Sequence, residues 1–275
     1  IKAIRIIENA PSTFGGIGSV YNAFLPSLTL GCGSYGHNSV SNNVSAINLL
    51  NIKRIGRRNN NMQWVKLPPK IYFERNSIRY LRDMKEMKKA MIVTDRGMYD
   101  LGYVGKIEDV IRRRRNKVDV DLFIDVEPDP SLDMTLKGLE IMKSFQPDTI
   151  IAIGGGSAMD AAKGMWLFYE NPETNFFGAK QKFLDIRKRA YRLPRARHSQ
   201  MVCIPTTSGT GAEVTPFAVI TDSETHVKYP LADYFLTPNV AIIDVQFVLS
   251  VPASVTADTG MDVLTHAIES YVSVM

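Results

Sequence analysis

Apolar and polar residues follow two patterns in turn between residues 70 and 247, and these patterns predict alternating strands and helices. Short continuous apolar runs predict buried strands at KIYF (70–73), KKAMIVTD (88–95), VDLFIDV (120–126), DTIIAI (148–153) and MVCIP (201–205). The segments between them predict helices at 76–84, 98–113, 131–145 and 157–170, the third opened by Ser131 as N-cap. This alternation predicts an α/β fold with a doubly wound, mostly parallel sheet.

The two ends of the chain follow other patterns. After the alternating part, residues 217–231 predict a hairpin, VAIID (240–244) a last strand and 256–274 a helix. Residues 1–50 are rich in Gly, Ser and Asn and lack a repeated strand–helix unit. Residues 51–68 are polar and basic and end in the pair Pro68–Pro69. This composition is typical of a linker.

A glycine-rich turn in IIAIGGGSAMDAAKG joins a buried strand to a helix. Gly154, Gly155 and Gly156 let backbone N–H groups approach a phosphate, and the helix that begins near Ser157 adds its partial positive charge. The spacing is not the G-x-G-x-x-G fingerprint. A simple tight turn is the alternative, but three successive glycines exceed what a turn needs, so the pattern favours phosphate binding.

Two further features follow predicted strands. IPTTSGTGAEVT contains Thr206, Thr207 and Thr210, small hydroxyl residues that suit a ligand crevice, although alone they could form a solvated loop. Asp95 ends the strand AMIVTD, where a carboxylate can accept hydrogen bonds from ribose hydroxyls and repel a 2′-phosphate. A helix-capping role explains Asp95 equally well.

Asp262 and His266 lie four residues apart in TGMDVLTHAIESY, so they share one helix face. A carboxylate with an imidazole suits a divalent metal such as iron or zinc, whereas a local hydrogen bond is the simpler alternative for an isolated pair. A catalytic metal needs three or four protein ligands. The other histidines, at positions 37, 198 and 226, are not placed to complete such a site.

Composition limits the classes of function. The 275 residues carry a net charge of +5, but the basic segments 112–116 and 186–197 lack interleaved aromatics, so a basic surface is favoured over nucleic-acid binding. The chain has two cysteines and no long apolar run, which predicts a cytoplasmic protein without a membrane segment. Because residue 1 is Ile and the chain ends abruptly at YVSVM, we expect a fragment.

Three motifs, GGGSAMDAAKG, IPTTSGTGAEVTPFAVITD and GMDVLTHAIESY, resemble the signatures of the iron-dependent (group III) alcohol dehydrogenases, over residues 69–275. Residues 1–50 resemble the tail of an acylating aldehyde dehydrogenase domain. Together they resemble the bifunctional aldehyde–alcohol dehydrogenases of fermentative metabolism. The resemblance implies that a linker at 51–68 leads into a dinucleotide-binding domain at 69–247. It further implies that 248–275 begins a truncated, all-helical metal-binding domain.

The resemblance also implies a role for individual residues. Asp95 matches the acidic residue on the adenosine ribose and implies NAD rather than NADP. Asp262 and His266 match two of four ligands of Fe²⁺, with Zn²⁺ possible, and the two further histidines of the family are not in this chain. The remaining matches to cofactor-binding positions are Asp129, Gly154, Gly155, Gly156, Ser157, Asp160, Thr206, Thr207, Thr210 and Lys228.

The implied reaction is the metal-assisted interconversion of acetaldehyde and ethanol by hydride transfer with NAD, in an enzyme that also reduces acetyl-CoA to acetaldehyde. No catalytic residue is assigned beyond the metal ligands, and the fragment itself is expected to be inactive. The family forms homo-oligomers and helical filaments, so an alternative function is that of a nucleotide-binding or assembly module. The expected partners are a small alcohol or aldehyde and further copies of the chain.

Overall fold

The computed structural model describes Arg5–Glu8, Arg54–Arg57 and residues 66–174, 176, 179 and 198–273. The chain divides into two compact units, one of Ile1–Val65 with His266–Met275 and one of Lys66–Thr265. In the first unit, strands β1 (Arg5–Glu8) and β2 (Arg54–Arg57) pair in parallel. Strand β2 falls inside the segment predicted as a linker, which is therefore not irregular throughout. Most of the predicted tail 1–50 and all of the basic segment 186–197 lie outside the described residues.

The second unit is built on a six-stranded sheet whose strands all run parallel. Its strands are β3 (Lys70–Tyr72), β4 (Lys89–Val93), β5 (Asp119–Phe123), β6 (Thr149–Gly154), β7 (Gln200–Pro205) and β10 (Val240–Ile242). A separate antiparallel hairpin consists of β8 (Phe217–Thr221) and β9 (Lys228–Ala232). The predicted parallel α/β fold and the hairpin are thus confirmed.

Helices lie between these strands, and a last one follows β10. They are α1 (Tyr80–Asp83), α2 (Arg96–Asp100), α3 (Tyr103–Arg112), α4 (Leu132–Phe145), α5 (Gly156–Glu170) and α6 (Ala253–Val272). The predicted N-cap of α4 is confirmed, because Ser131 Oγ accepts a hydrogen bond from Met134 N at 3.2 Å. The helix predicted at 98–113 is instead two, α2 and α3, because Gly102 adopts a left-handed conformation between them (φ 75°). None of the described helices is both long and apolar enough to cross a membrane.

The order of the strands creates a crevice at one point of the sheet. The order is β3-β10-β7-β6-β4-β5, so β4 lies between β5 and β6. The chain passes from β4 outward to β5 and then crosses back to β6 on the other side. This reversal, between β4 and β6, is a topological switch point. Open α/β sheets bind ligands at such a point, outside the carboxyl ends of the two strands.

Hydrophobic cores cover both faces of the sheet, which explains why its strands are continuously apolar. In β4, Met91 and Val93 pack with one cluster, and Ala90 and Ile92 with the other. Residues of β6 and β7 divide between the two clusters with the same period of two. Helix α5 lies in the first cluster, where Trp166 is fully buried. Burial on both sides holds the strand ends, and the loops they carry, in fixed positions.

Candidate functional site

The glycine turn at the end of β6 forms the centre of the candidate site. Gly154 has a φ of 149°, a conformation that residues with a side chain rarely adopt, and a Cβ atom there would lie 2.6 Å from Ala158 Cβ. Gly155 precedes α5 as its N-cap. Helix α5 therefore directs its first N–H groups toward the crevice, as a phosphate site requires.

The loop after β7 lies beside this turn. Thr206 N donates to Gly154 O at 2.9 Å. A Cβ atom built on Gly155 would lie 3.6 Å from Thr207, and one on Gly156 would lie 2.9 Å from Thr210 Cγ2. The structure therefore brings the two glycine-containing loops together, although they lie about fifty residues apart in the sequence.

Asp95 caps a helix and lies beside the glycine turn. One carboxylate oxygen, Oδ1, accepts from Met98 N at 3.0 Å, which confirms that Asp95 is the N-cap of α2. The other oxygen, Oδ2, lies 3.5 Å from the position that a Cβ atom on Gly154 would take. Capping thus leaves the second oxygen at the crevice, within the space around the glycine turn.

Asp129, Ser157 and Lys228 form a second group near the start of α5. Asp129 N donates to Ser157 Oγ at 3.3 Å, and Lys228 Nζ lies 2.7 Å from Asp129 Oδ1. Asp129 adopts a left-handed backbone conformation with φ of 54°, which is uncommon for a residue with a side chain. The contact brings residues from three elements to the N-terminal end of α5.

Asp160 forms a hydrogen bond to the neighbouring hairpin. Its Oδ2 accepts from Val219 N at 3.0 Å and so ties the second turn of α5 to strand β8. Burial raises the pKa of Asp160 to about 6, against the partial compensation of that backbone hydrogen bond and of the nearby Lys163 charge. Direct cofactor contact by Asp160 stays a prediction.

Lys163 was not anticipated, although it lies three residues after Asp160. It is fully buried, and its Nζ donates to the carbonyl oxygens of Ala212 (2.6 Å), Thr215 (2.7 Å) and Phe217 (2.8 Å). Burial lowers the pKa of Lys163, against the opposing effects of Cys203, Asp160 and Glu213. The one signal in the sequence is a lysine within the apolar run AAKGMWLF.

The shifted pKa of Asp160 predicts a pH dependence of stability. The carboxyl titrates at about 6 in the folded chain and near 3.8 when unfolded, so the folded state binds more protons between these values. The contribution of Asp160 to the free energy of unfolding therefore falls as pH rises from about 4 to 6, by about 3 kcal/mol at 1.36 kcal/mol per pKa unit. Urea unfolding at pH 4.5, 5.5 and 7 measures the change.

The matched variant for this prediction is Asp160→Asn, whose side-chain oxygen can still accept from Val219 N. Other carboxylates also titrate in this range, so the informative quantity is the difference between the unsubstituted chain and the variant. We expect the variant to gain relative stability as pH rises. A difference that is constant from pH 4.5 to 7 would contradict the proposed cause.

A cleft with a volume of about 650 Å³ lies beside the loop after β7. Thr207, Gly209 and Glu213 line it together with Val263 of helix α6. Burial raises the pKa of Glu213. The volume is within the range of small-molecule sites, and the lining combines apolar side chains with a few polar groups.

Helix α6 carries Asp262 and His266, one turn apart on a continuous helix. Among the described residues no group of three or more His, Cys, Asp or Glu side chains is arranged to hold a metal ion. The pair therefore provides two donors of suitable chemistry, carboxylate oxygen and imidazole nitrogen, but not a complete set. Metal binding by Asp262 and His266 stays a prediction.

Most of the second unit matches a known protein family. Residues 68–245 match the family model described as iron-containing alcohol dehydrogenase. Over its whole length the chain is 63% identical to aldehyde-alcohol dehydrogenase 2 of Entamoeba histolytica and 64% identical to the aldehyde-alcohol dehydrogenase of Streptococcus pneumoniae serotype 4. It covers 32% and 31% of these proteins, and thus spans about a third of their length.

A solved structure supports the fold assignment. The sulfoacetaldehyde reductase of Bifidobacterium kashiwanohense, determined in complex with NAD⁺, is similar with a TM-score of 0.64 and 28% identity. The match covers 77% of this chain and 54% of that protein. The resemblance read from the three motifs is therefore confirmed, and so is the resemblance of the whole chain to aldehyde–alcohol dehydrogenases.

Proposed function

Because the chain belongs to the family of iron-containing alcohol dehydrogenases, we propose that it provides the nucleotide-binding part of an enzyme that interconverts acetaldehyde and ethanol with NAD. The observation that carries the proposal is the contact of the glycine turn with the loop after β7, at the switch point of the sheet. We propose further that this activity belongs to a bifunctional enzyme that also reduces acetyl-CoA to acetaldehyde. The enzyme is further proposed to be a cytoplasmic homo-oligomer.

The residues around the turn would bind the dinucleotide by distinct interactions. The first N–H groups of α5 would donate to the pyrophosphate, which Gly155 and Gly156 leave unobstructed by side chains. The Oδ2 atom of Asp95 would accept from the ribose hydroxyls and would repel the 2′-phosphate of NADP. Lys228 would balance part of the negative charge of the cofactor. Its side chain is exposed and contacts Asp129, near the start of α5.

The donors on α6 would contribute to the metal site. Asp262 and His266 fit Fe²⁺ in donor type, and Zn²⁺ would accept the same pair. When bound, the metal supplies a Lewis acid for the carbonyl oxygen, and the nicotinamide supplies or accepts the hydride. Because a catalytic metal needs further ligands, we expect this chain alone to bind NADH without catalysing turnover.

Titration of the chain with NADH, followed by cofactor fluorescence, tests the proposal. We expect saturable binding of NADH and at least tenfold weaker binding of NADPH. With NAD⁺, ethanol and added Fe²⁺ or Zn²⁺, we expect no NADH formation by the 275-residue chain. Absence of NADH binding would refute the nucleotide-binding function, while robust turnover would refute the incomplete metal site.

Asp95→Ser is the matched variant for cofactor choice. A serine can still cap α2, but it lacks the negative charge at the crevice. We expect NADPH binding to improve at least tenfold relative to NADH, because the repulsion of the 2′-phosphate is removed. An unchanged ratio of the two dissociation constants would show that Asp95 caps the helix without contacting the cofactor.

A further inference from the structure

Gly209 lies against the backbone of helix α6. A Cβ atom built on Gly209 would lie 2.7 Å from Thr259 Cβ, 2.9 Å from Thr259 O and 3.1 Å from Thr259 Cα. Two of these three atoms belong to the backbone of a twenty-residue helix, so they cannot move by a change of rotamer. Any side chain at position 209 would therefore displace the loop or the helix.

The opposite contacts of the same loop are with the glycine turn. Thr207 lies 3.6 Å from the position of a Cβ atom on Gly155, and Thr210 lies 2.9 Å from one on Gly156. Thr206 N is also bonded to Gly154 O. The loop 206–211 thus touches the turn through its threonines and touches α6 through Gly209. It separates the two elements by the thickness of one segment of backbone.

The contact point on α6 is close to the predicted metal ligands. Thr259 precedes Asp262 by three residues and His266 by seven, so the three positions fall on one side of the helix. The axial distance from Thr259 to Asp262 is about 4.5 Å at 1.5 Å per residue. A displacement of α6 at Thr259 would therefore be transmitted almost directly to Asp262.

We propose that Gly209 is a positioning residue that sets the distance between the cofactor turn and the helix carrying Asp262. This inference rests on the proposed function and concerns its geometry. Hydride transfer requires the nicotinamide carbon and the carbonyl carbon of the substrate to approach closely. A misplacement of 1 Å can cost about a hundredfold in rate. With alanine at position 209, the 2.7–3.1 Å contacts must lengthen to ordinary separations, which demands a shift of several tenths of an ångström to 1 Å.

The test uses a polypeptide of the length of the aldehyde–alcohol dehydrogenase relatives that contains residues 1–275. In Gly209→Ala we expect kcat for acetaldehyde reduction to fall 10- to 100-fold, and the Kd for NADH to change less than threefold. The primary isotope effect on kcat with deuterated NADH should rise, because a misplaced hydride step becomes more rate-limiting. In the 275-residue chain, the amides of α6 near Thr259 should exchange with solvent at least threefold faster.

Gly105→Ala is the control, since a Cβ atom on this exposed glycine of α3 meets nothing within 4 Å. The positioning role would be overturned if Gly209→Ala kept kcat within twofold of the unsubstituted enzyme. A loss of NADH affinity in parallel with kcat would overturn it too. If Gly209→Ala does not fold, Thr259→Gly opens the contact from the helix side. There too, kcat should fall with NADH affinity retained, and an unchanged kcat would overturn the proposal. Failure of the unsubstituted protein to bind NADH would instead refute the proposed function, and the positioning role of Gly209 with it.

Discussion

Gly155→Val is expected to abolish NADH binding at concentrations that saturate the unsubstituted chain, with little loss of stability. Gly155 has φ −78° and ψ −168°, an extended conformation open to any residue, and its added Cβ would make only ordinary contact with Thr207 at 3.6 Å. The valine would fill the gap through which we propose that the pyrophosphate reaches the N–H groups of α5. Loss of two charge-assisted hydrogen bonds costs about 3 kcal/mol or more, or about a hundredfold in Kd.

Two glycine variants separate binding from folding in this experiment. Gly105→Val introduces the same side chain on the exposed side of α3 and should leave the NADH affinity unchanged. Gly154→Val should instead lower the melting temperature, because Gly154 has φ 149° and its Cβ would lie 2.6 Å from Ala158. If Gly155→Val binds NADH as tightly as the unsubstituted chain, the pyrophosphate does not lie on this turn.

The strands could be predicted from the sequence because their physical cause is local. Both faces of the sheet are covered, so β4, β6 and β7 are apolar along residues 90–93, 150–153 and 201–204, and this leaves continuous apolar runs. The break at Gly102 was not foreseen, because a glycine inside an apolar helical pattern is often accommodated by the helix. Its left-handed conformation depends on how α2 and α3 pack, which periodicity does not encode.

The site could be predicted only as separate motifs. The order of strands, which places the ends of β4, β6 and β7 side by side, is a property of the whole sheet. Asp129 and Lys228 form an ion pair across 99 residues of sequence, and resemblance to a family, rather than any local pattern, suggested both. The three carbonyl oxygens that Lys163 contacts, those of Ala212, Thr215 and Phe217, lie about fifty residues further along the chain, so its role was visible only in the fold.

Replacement of Lys163 by Met is expected to destabilise the second unit by about 3–5 kcal/mol. An uncharged amine offers two N–H groups, whereas the ammonium offers three, one for each of the carbonyls of Ala212, Thr215 and Phe217. Methionine matches the four-atom stem of lysine but leaves those three acceptors without their donor. Removing one partner from a buried charged network costs about 3–5 kcal/mol. This is a large part of the free energy of unfolding of a typical domain, about 5–15 kcal/mol.

Lys143→Met is the matched control, because Lys143 is half exposed and its ion pair with Glu140, at 2.8 Å, is on the helix surface. That substitution should change the free energy of unfolding by less than about 1 kcal/mol. Urea unfolding at pH 7, with and without saturating NADH, measures both variants. A loss below 1 kcal/mol for Lys163→Met would mean that water or a rearranged loop satisfies the carbonyls. We expect instead a loss of stability together with weaker NADH binding. Lys163 holds Ala212 and Thr215, in the segment that directly follows the loop 206–211 beside the glycine turn.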